Sequence, residues 1–164
     1  AGKTEVQRAI ARQFGREFFD GDRSTGYGGF SYMPRFWQPV IPTFVDHWKL
    51  SPNSSVLDVG CAKGFMLYEF SKVLPNLTIA GIDISRYAIR NAKKEVSDFL
   101  ATGNATNLPF KDNSFDFVFS INTIHNLDRE GCLRAFSELE RVSRGNTFVM
   151  VDGWKTEEER EYET

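Results

Sequence analysis

The residues best suited to chemistry gather around one run, Val56-Leu57-Asp58-Val59-Gly60-Cys61-Ala62-Lys63-Gly64-Phe65. An apolar stretch ends in an acid, turns on two glycines and enters a helical pattern. Such a junction sets backbone N–H groups and a helix N-terminus beside a small-molecule crevice at the carboxyl edge of a sheet. A second acid, Asp83, closes the next apolar run nineteen residues after Gly64. An acid at that place can accept both hydroxyls of a ribose. The turn departs from the G-x-G-x-x-G of pyrophosphate binders, so an NAD-type cofactor is disfavoured. A buried Asp58 suits an amino-acid ammonium group, directly or through water, better than a pyrophosphate.

Further along, Ile121-Asn122-Thr123-Ile124-His125-Asn126-Leu127 offers a second set of polar groups. His125 is a base suited to neutral pH, and Asn122 can orient an acceptor or part of a cofactor. The plainer reading of His125 is a helix cap or a packed ring. Cys61 reads as a nucleophile or, more simply, as a small residue in a tight turn. Lys63 reads as a contact to a cofactor carboxylate or as a solvent-facing lysine at a helix start. His47 reads as structural. No His/Cys/Asp/Glu group has metal-ligand spacing, and Asp112 and Asp116 have no evident partners in the sequence.

These residues require an alternating framework to bring them together. Apolar runs at 55–60, 77–83, 98–102, 115–120 and 147–152 read as strands. Helical patterns at 64–74 (Met66, Phe70, Val73 and Leu74 on one face), 86–97 and 129–143 (Cys132, Ala135, Phe136, Leu139 and Val142 inward) separate them. Ser85 and Asp128 are placed to cap two of these helices. The expected fold is α/β: a doubly wound, mostly parallel sheet with helices on both faces. Residues 1–54 are expected as an N-terminal helical cap with a Gly/aromatic lid, and 55–164 as the cofactor-binding core of one compact domain. In the cap, Val6, Ile10, Phe14 and Phe18 predict an amphipathic helix over 3–19, packed on its own domain rather than on a membrane surface. Pro34 suits a first helical turn, while Pro39 and Pro42 split the helical stretch that it opens. Tyr27-Gly28-Gly29-Phe30-Ser31-Tyr32 is expected as a lid. Tyr27, Tyr32, Arg23, Arg35 and Trp37 are the candidates for holding an acidic or sugar-like acceptor.

Four linked pieces over residues 55–152 resemble the class I S-adenosylmethionine-dependent methyltransferases. Asp58 to Gly64 resembles the family's first motif, with Ala62 where a middle glycine is common. Asp83 resembles its ribose-binding acid. Gly103-Asn104-Ala105-Thr106-Asn107-Leu108-Pro109-Phe110 resembles the G-D-A-x-x-L-P-F segment along the adenine, with Asn104 for the usual Asp, and Ser114 to Ser120 resembles the fourth strand. The resemblance implies S-adenosylmethionine as cofactor, with S-adenosylhomocysteine as product. It also implies binding by Asp58, Gly60, Cys61, Ala62, Gly64, Asp83, Ile84, Asn104, Ala105 and Ser120. His125 and Asn122 then become the catalytic candidates for methyl transfer to an O or N of a small molecule such as a sugar or related metabolite. The family's sheet normally gains an antiparallel hairpin after its fifth strand. The chain ends at Thr164, so that hairpin is expected to be absent, leaving an edge that favours a homodimer. A non-catalytic cofactor-binding module or partner subunit is the alternative.

Composition fits these readings. The chain has 164 residues, 41% hydrophobic and 26% charged, with a net charge of −2 that gives no reason to expect nucleic acid. No Asn/Asp-Pro-Pro-aromatic motif follows the fourth strand, which disfavours base methylation. Fifteen Phe, many outside the strands, foreshadow an aromatic-lined cleft. Two cysteines are too few for a disulfide framework, which, with no apolar run of membrane-spanning length, points to a cytoplasmic location and no membrane partner.

Overall fold

A computed structural model of the chain describes residues 3–22 and 30–151. Five strands form one parallel sheet: β1 (Ser55–Val59), β2 (Thr78–Asp83), β3 (Leu100–Thr102), β4 (Phe117–Ile121) and β5 (Thr147–Met150). Their order is β3-β2-β1-β4-β5. The winding therefore runs outward from β1 to β3, then jumps to the other side of β1 and continues to β5. A crevice opens where the direction reverses, at the carboxyl ends of β1 and β4.

Alternation of side chains along the strands supplies both faces of the core. Val56, Ile79, Phe117 and Phe119 bury one face under α4 (Ile41–His47) and α5 (Phe65–Val73). Leu57, Ile82 and Val118 bury the other under the helix Arg129–Val142. Three short helices complete the N-terminal part, and a fourth the β2–β3 connection: α1 (Glu5–Ala11), α2 (Arg16–Asp20) and α3 (Pro34–Trp37) precede α4, and α6 (Arg86–Arg90) follows β2. The helix Arg129–Val142 is α7. Ser85 and Asp128 cap α6 and α7 as expected, accepting from the N–H groups of Ala88 and Gly131.

Several expected elements are interrupted, each for a local reason. The helix over 3–19 divides between α1 and α2, because Phe14 adopts φ 49° and Gly15 is extended. Val6 is consequently exposed, while Phe14 and Phe18 turn toward the sheet's carboxyl edge. Pro39 lies in the turn that divides α3 from α4, and Pro42 falls in the first turn of α4, where a missing N–H costs nothing. The helix over 86–97 stops at Arg90, where the Lys93 N–H leaves the helical pattern to donate to the Lys63 carbonyl at 2.8 Å. Phe136 and Val73, expected inward, are each 41% exposed, and Glu69 is buried in α5 instead.

The two acids without evident partners are structural. Asp116 accepts from the Ser55 N–H at 2.8 Å and from Arg144 at 2.8 Å, tying the segment leading into β4 to the start of β1. Arg141 joins Asp112, Glu138 and the carbonyls of Leu108 and Phe110, fastening the 103–110 segment onto α7. Among the described residues, no helix is long and apolar enough to cross a membrane.

Candidate active site

A cavity of about 550 Å³ occupies the carboxyl edge of the sheet. That volume lies within the range of small-molecule and cofactor sites. Its floor is the carboxyl end of four strands: Asp58 to Ala62 at the end of β1, Asp83 and Ile84 at the end of β2, Gly103 to Ala105 after β3, and Ile121 to Thr123 at the end of β4. Its roof comes from the N-terminal segment, with Phe14, Phe18 and Phe19 on one side and Met33, Phe36 and Trp37 on the other.

The loop after β1 folds through three left-handed residues: Gly60 at φ 88°, Ala62 at φ 49° and Gly64 at φ 79°. The N–H groups of Gly60 and Cys61 both donate to the Ile82 carbonyl, which holds the loop against β2. Gly64 caps α5 rather than lining the cavity; a side chain there would press on Val96 and Leu100. Cys61 is buried, and burial pushes its thiol well above the ordinary range, with the Asp58 and Asp83 charges adding to the effect. A thiolate nucleophile is thereby disfavoured, and the residue serves as a small filler of a tight turn.

Asp83 is held for one task. One carboxylate oxygen accepts from the Ala62 N–H and the other from the Ser85 N–H, each at 2.8 Å. Each oxygen keeps a further lone pair, so the group can still accept two hydroxyl donors. Burial raises its pKa, and the two backbone donors offset part of that rise. Asp58, on the neighbouring strand, is 5% exposed and accepts no hydrogen bond from a described residue. Burial, then the charge of Asp83, raises its carboxyl well above the usual range. A buried acid beside another acid, open to a cavity, calls for a cation. In the 103–110 segment, Asn104 gives its carbonyl oxygen to the N–H and hydroxyl of Thr106. Its NH2 is the part left to meet a ligand.

Asn122 lines the cavity at φ 53°, and its Oδ1 is buried without a donor among the described residues. The other residues expected here separate. Ile84, Ala105 and Trp37 line the cavity. Ser120 does not: as a residue of β4 it shares the face of Val118, directed at α7, and is fully buried. His125 does not reach the lining either; it is exposed on the short turn Ile124–Asn126. Tyr32 donates to the buried Glu69 of α5 and fastens the 30–33 segment instead of facing the cavity. Arg35 lies over the Phe36 ring at 5.0 Å, outside the lining. Tyr27 and Arg23 fall outside the described residues.

Lys63 adopts neither role expected of it. It is 7% exposed and donates to both oxygens of Asp20, at 2.7 and 2.9 Å, and to the Phe30 carbonyl at 2.8 Å. Tyr87 donates to the same carboxylate. The loop that floors the cavity is thus pinned to the helix that roofs it. Burial alone would raise Asp20, but the hydrogen bonds from Lys63, Tyr87 and the Phe30 N–H, with the Lys63 charge, outweigh it and hold the group at about 2 against an ordinary 3.8. A depressed carboxyl contributes stability present above its unfolded value and lost as pH falls through its folded value. Protection of the α2 amides from hydrogen exchange should therefore drop between about pH 4 and pH 2, by roughly tenfold once solvent screening is allowed for. Lys63→Met should show the low protection at every pH; unchanged protection in that variant would remove the pin.

The methyltransferase-domain family model matches residues 57–151. The chain belongs to the class I S-adenosylmethionine-dependent methyltransferase family. S-adenosylmethionine is accordingly its cofactor, and the two carboxylate acceptors and the Asn104 NH2 donor just described suit that molecule. The chain is 30% identical over 122 residues to a tRNA (carboxymethyluridine(34)-5-O)-methyltransferase of Arabidopsis thaliana, covering 74% of this chain and 28% of that protein. It is 30% identical over 128 residues to a demethylmenaquinone methyltransferase of Symbiobacterium thermophilum, covering 73% of this chain and 50% of that one. A solved S-adenosylmethionine-dependent methyltransferase from Aquifex aeolicus superposes with a TM-score of 0.60 at 25% identity, over 76% of this chain and 69% of the other. The chain thus spans between about a quarter and a half of these two curated relatives. Methyltransferase domains of this family act on different acceptors, so the acceptor has to be argued from the cavity.

Sequence reasoning missed the roof. Phe14, Phe18 and Phe19, and Met33 and Phe36, meet the cavity only because α2 and α3 fold back across the sheet edge. The advance signals were the expected cap and aromatic lid of residues 1–54, from which Phe30, Ser31 and Trp37 line the cavity, and the surplus of phenylalanine outside the strands. Asn126, next to His125, also lines the cavity where the histidine does not.

Proposed function

We propose that this chain transfers a methyl group from S-adenosylmethionine to a small-molecule acceptor. The observation that carries the reading is the pair Asp58 and Asp83 on adjacent strand ends in one cavity: one acid with no partner among the described residues, the other held by two backbone donors with lone pairs to spare. In this reading Asp58 accepts the cofactor's ammonium, Asp83 its ribose hydroxyls, and the Asn104 NH2 meets a ring nitrogen of the adenine. When bound, the sulfonium supplies an electrophilic methyl group. The chain's contribution is then alignment and exclusion of water, which in favourable cases supplies about 7–11 kcal/mol of acceleration. The aromatic roof, pinned through Lys63 and Asp20, provides the exclusion. Asn122, Thr123 and Asn126 orient the acceptor from the β4 side.

Asp58 makes the reading pH-dependent. The ammonium pairs with the ionised carboxylate, whereas burial favours the protonated one. Binding should therefore release a proton, and affinity should fall as pH drops below the raised value of Asp58. In the free chain the sign reverses: a raised carboxyl contributes stability at low pH that is lost as pH rises through its folded value. Titrating S-adenosylhomocysteine in two buffers of different ionisation enthalpy reads the proton directly. Release supports the pairing; uptake or no transfer removes Asp58 from it.

Catalysis is tested by following a labelled methyl group from the cofactor into a small-molecule extract and into an RNA fraction. Label in the small-molecule fraction is expected; label confined to RNA contradicts the proposal, and no label from a chain that binds cofactor favours a binding module. No step is assigned to His125, since it does not reach the cavity. His125→Ala should leave turnover within about threefold, against the roughly 10²- to 10⁴-fold loss of a missing general base. A loss of that larger size would restore the histidine to the mechanism.

A further inference from the structure

The cavity is apolar along much of its lining, Phe14, Phe18 and Phe19 included, but its charge lies at one end. On the β1–β3 side it carries Asp58 and Asp83, the only charged side chains among the described lining residues, together with Asn104. On the β4 side the walls are Met33, Phe36 and Trp37 from the α3 segment, Met66 of α5, Ile121 of β4 and Leu127. Trp37 and Ile121 pack on the same core as Met66, so this wall is continuous with the buried interior. It also runs outward: Phe36 is 58% exposed and Met33 38% exposed. An apolar surface that begins in the core and continues to the mouth accommodates a ligand longer than the cavity is deep.

The polar content of this half is small and specific. The Thr123 hydroxyl already donates to the Ile121 carbonyl at 3.1 Å. The Asn122 Oδ1 is buried with no donor among the described residues. A buried carbonyl oxygen without a partner is costly and selects a ligand that brings one donor. Of the described residues read from sequence as candidates for an acidic or sugar-like acceptor, Trp37 lines the cavity, whereas the cation, Arg35, lies outside the lining over Phe36.

We infer that the acceptor is a neutral, predominantly apolar molecule bearing a hydroxyl, its hydrocarbon part against Met33, Phe36 and Trp37 and its O–H donated to the Asn122 Oδ1. As the S–CH3 bond breaks and the O–CH3 bond forms, the hydroxyl proton leaves to water at the mouth beside exposed Phe36, the amide oxygen orienting the hydroxyl but taking no proton. The inference rests on the methyltransferase reading and goes beyond it by naming the acceptor class. A phosphorylated sugar or an RNA segment would place charge against an apolar wall, at a desolvation cost that no cationic side chain of the described lining repays.

The test is binding to the chain saturated with S-adenosylhomocysteine, measured by calorimetry. The probes are 1-naphthol, 4-octylphenol, naphthalene, glucose 6-phosphate and bulk tRNA. The two phenols should bind at least about tenfold more tightly than the sugar phosphate or the tRNA, and 1-naphthol about tenfold more tightly than naphthalene. Phe36→Arg, a change at an exposed position, should weaken both phenols about tenfold, well beyond any change in S-adenosylhomocysteine affinity. Asn122→Gly, which suits the positive φ, should erase the preference for naphthol over naphthalene. Tighter binding of glucose 6-phosphate or tRNA overturns the inference, as does phenol binding that is absent or indifferent to Phe36→Arg. The two levels separate cleanly. If S-adenosylhomocysteine itself fails to bind, the methyltransferase reading falls and takes this one with it; if it binds and the phenols do not, only the acceptor assignment falls.

Discussion

Replacing Asp83 with alanine is expected to weaken S-adenosylhomocysteine binding by about 100- to 1000-fold, from the loss of two charge-assisted hydrogen bonds. The effect is large because the carboxylate is positioned before any ligand arrives. The Ala62 N–H and the Ser85 N–H fix its two oxygens at 2.8 Å, so little ordering remains for the ribose to impose. The same two donors lose their acceptor in the variant, so Asp83→Ala should also soften the β1 loop. Asp83→Asn separates these contributions. An amide retains one accepting oxygen for a backbone donor but loses the second, and it should recover part of the thermal stability while remaining weak for the ligand. Calorimetry of both variants, each first shown to be folded by circular dichroism, checks the expectation. Wild-type affinity in Asp83→Ala would refute the ribose assignment.

The second large effect is expected at Gly60. A Cβ built there would stand 2.0 Å from Thr123 Oγ1, 2.5 Å from its Cγ2 and 2.6 Å from its Cβ. The backbone also sits at φ 88°, where an L side chain is strained. Overpacking and the left-handed backbone together should cost Gly60→Ala about 3 kcal/mol, or roughly 10 °C in melting temperature for a domain of this size. The contact joins the β1 and β4 loops, the two sides of the crevice, so cofactor affinity should fall with stability. Thr123→Gly in the same chain removes the obstruction but not the φ penalty, and the double variant should regain part of the loss. Equal melting temperatures for wild type and Gly60→Ala would contradict the close approach.

Legibility in the sequence tracks the range of the interactions involved. The five strands and their parallel arrangement came from apolar runs separated by helical patterns, because alternation and capping are local. Ser85 and Asp128 were readable as caps for the same reason. Asp58, Gly60 and Asp83 were readable because one strand–turn–helix junction brings them near a common edge. Breaks in helices were less legible. Nothing local in 86–97 announces that Lys93 will turn its N–H to the Lys63 carbonyl, and the left-handed backbone at Phe14 interrupts what periodicity presents as one helix. Ser120, named through the resemblance, sits on the buried face of β4 outside the cavity lining.

The long-range pairings were not legible at all. Lys63 and Asp20 lie 43 positions apart, and Tyr32 and Glu69 lie 37 apart. Each pairing sends a residue expected at the site, or beside it, to fasten the roof instead. Of the apolar wall Trp37 was readable as a candidate; Phe36 was foreseeable only as composition. The wall's chemical meaning emerges when the α3 segment brings Met33, Phe36 and Trp37 into one cavity with Asn122.

The central claim is that the strand ends of this chain bind a nucleoside cofactor of the S-adenosylmethionine type and not a dinucleotide. Calorimetric titration of the folded chain with S-adenosylhomocysteine, with NAD as the control, tests it most directly. Saturable one-to-one binding of S-adenosylhomocysteine with no heat from NAD is the expected result. Binding of NAD, or no binding of S-adenosylhomocysteine by a chain that melts cooperatively, would contradict the account.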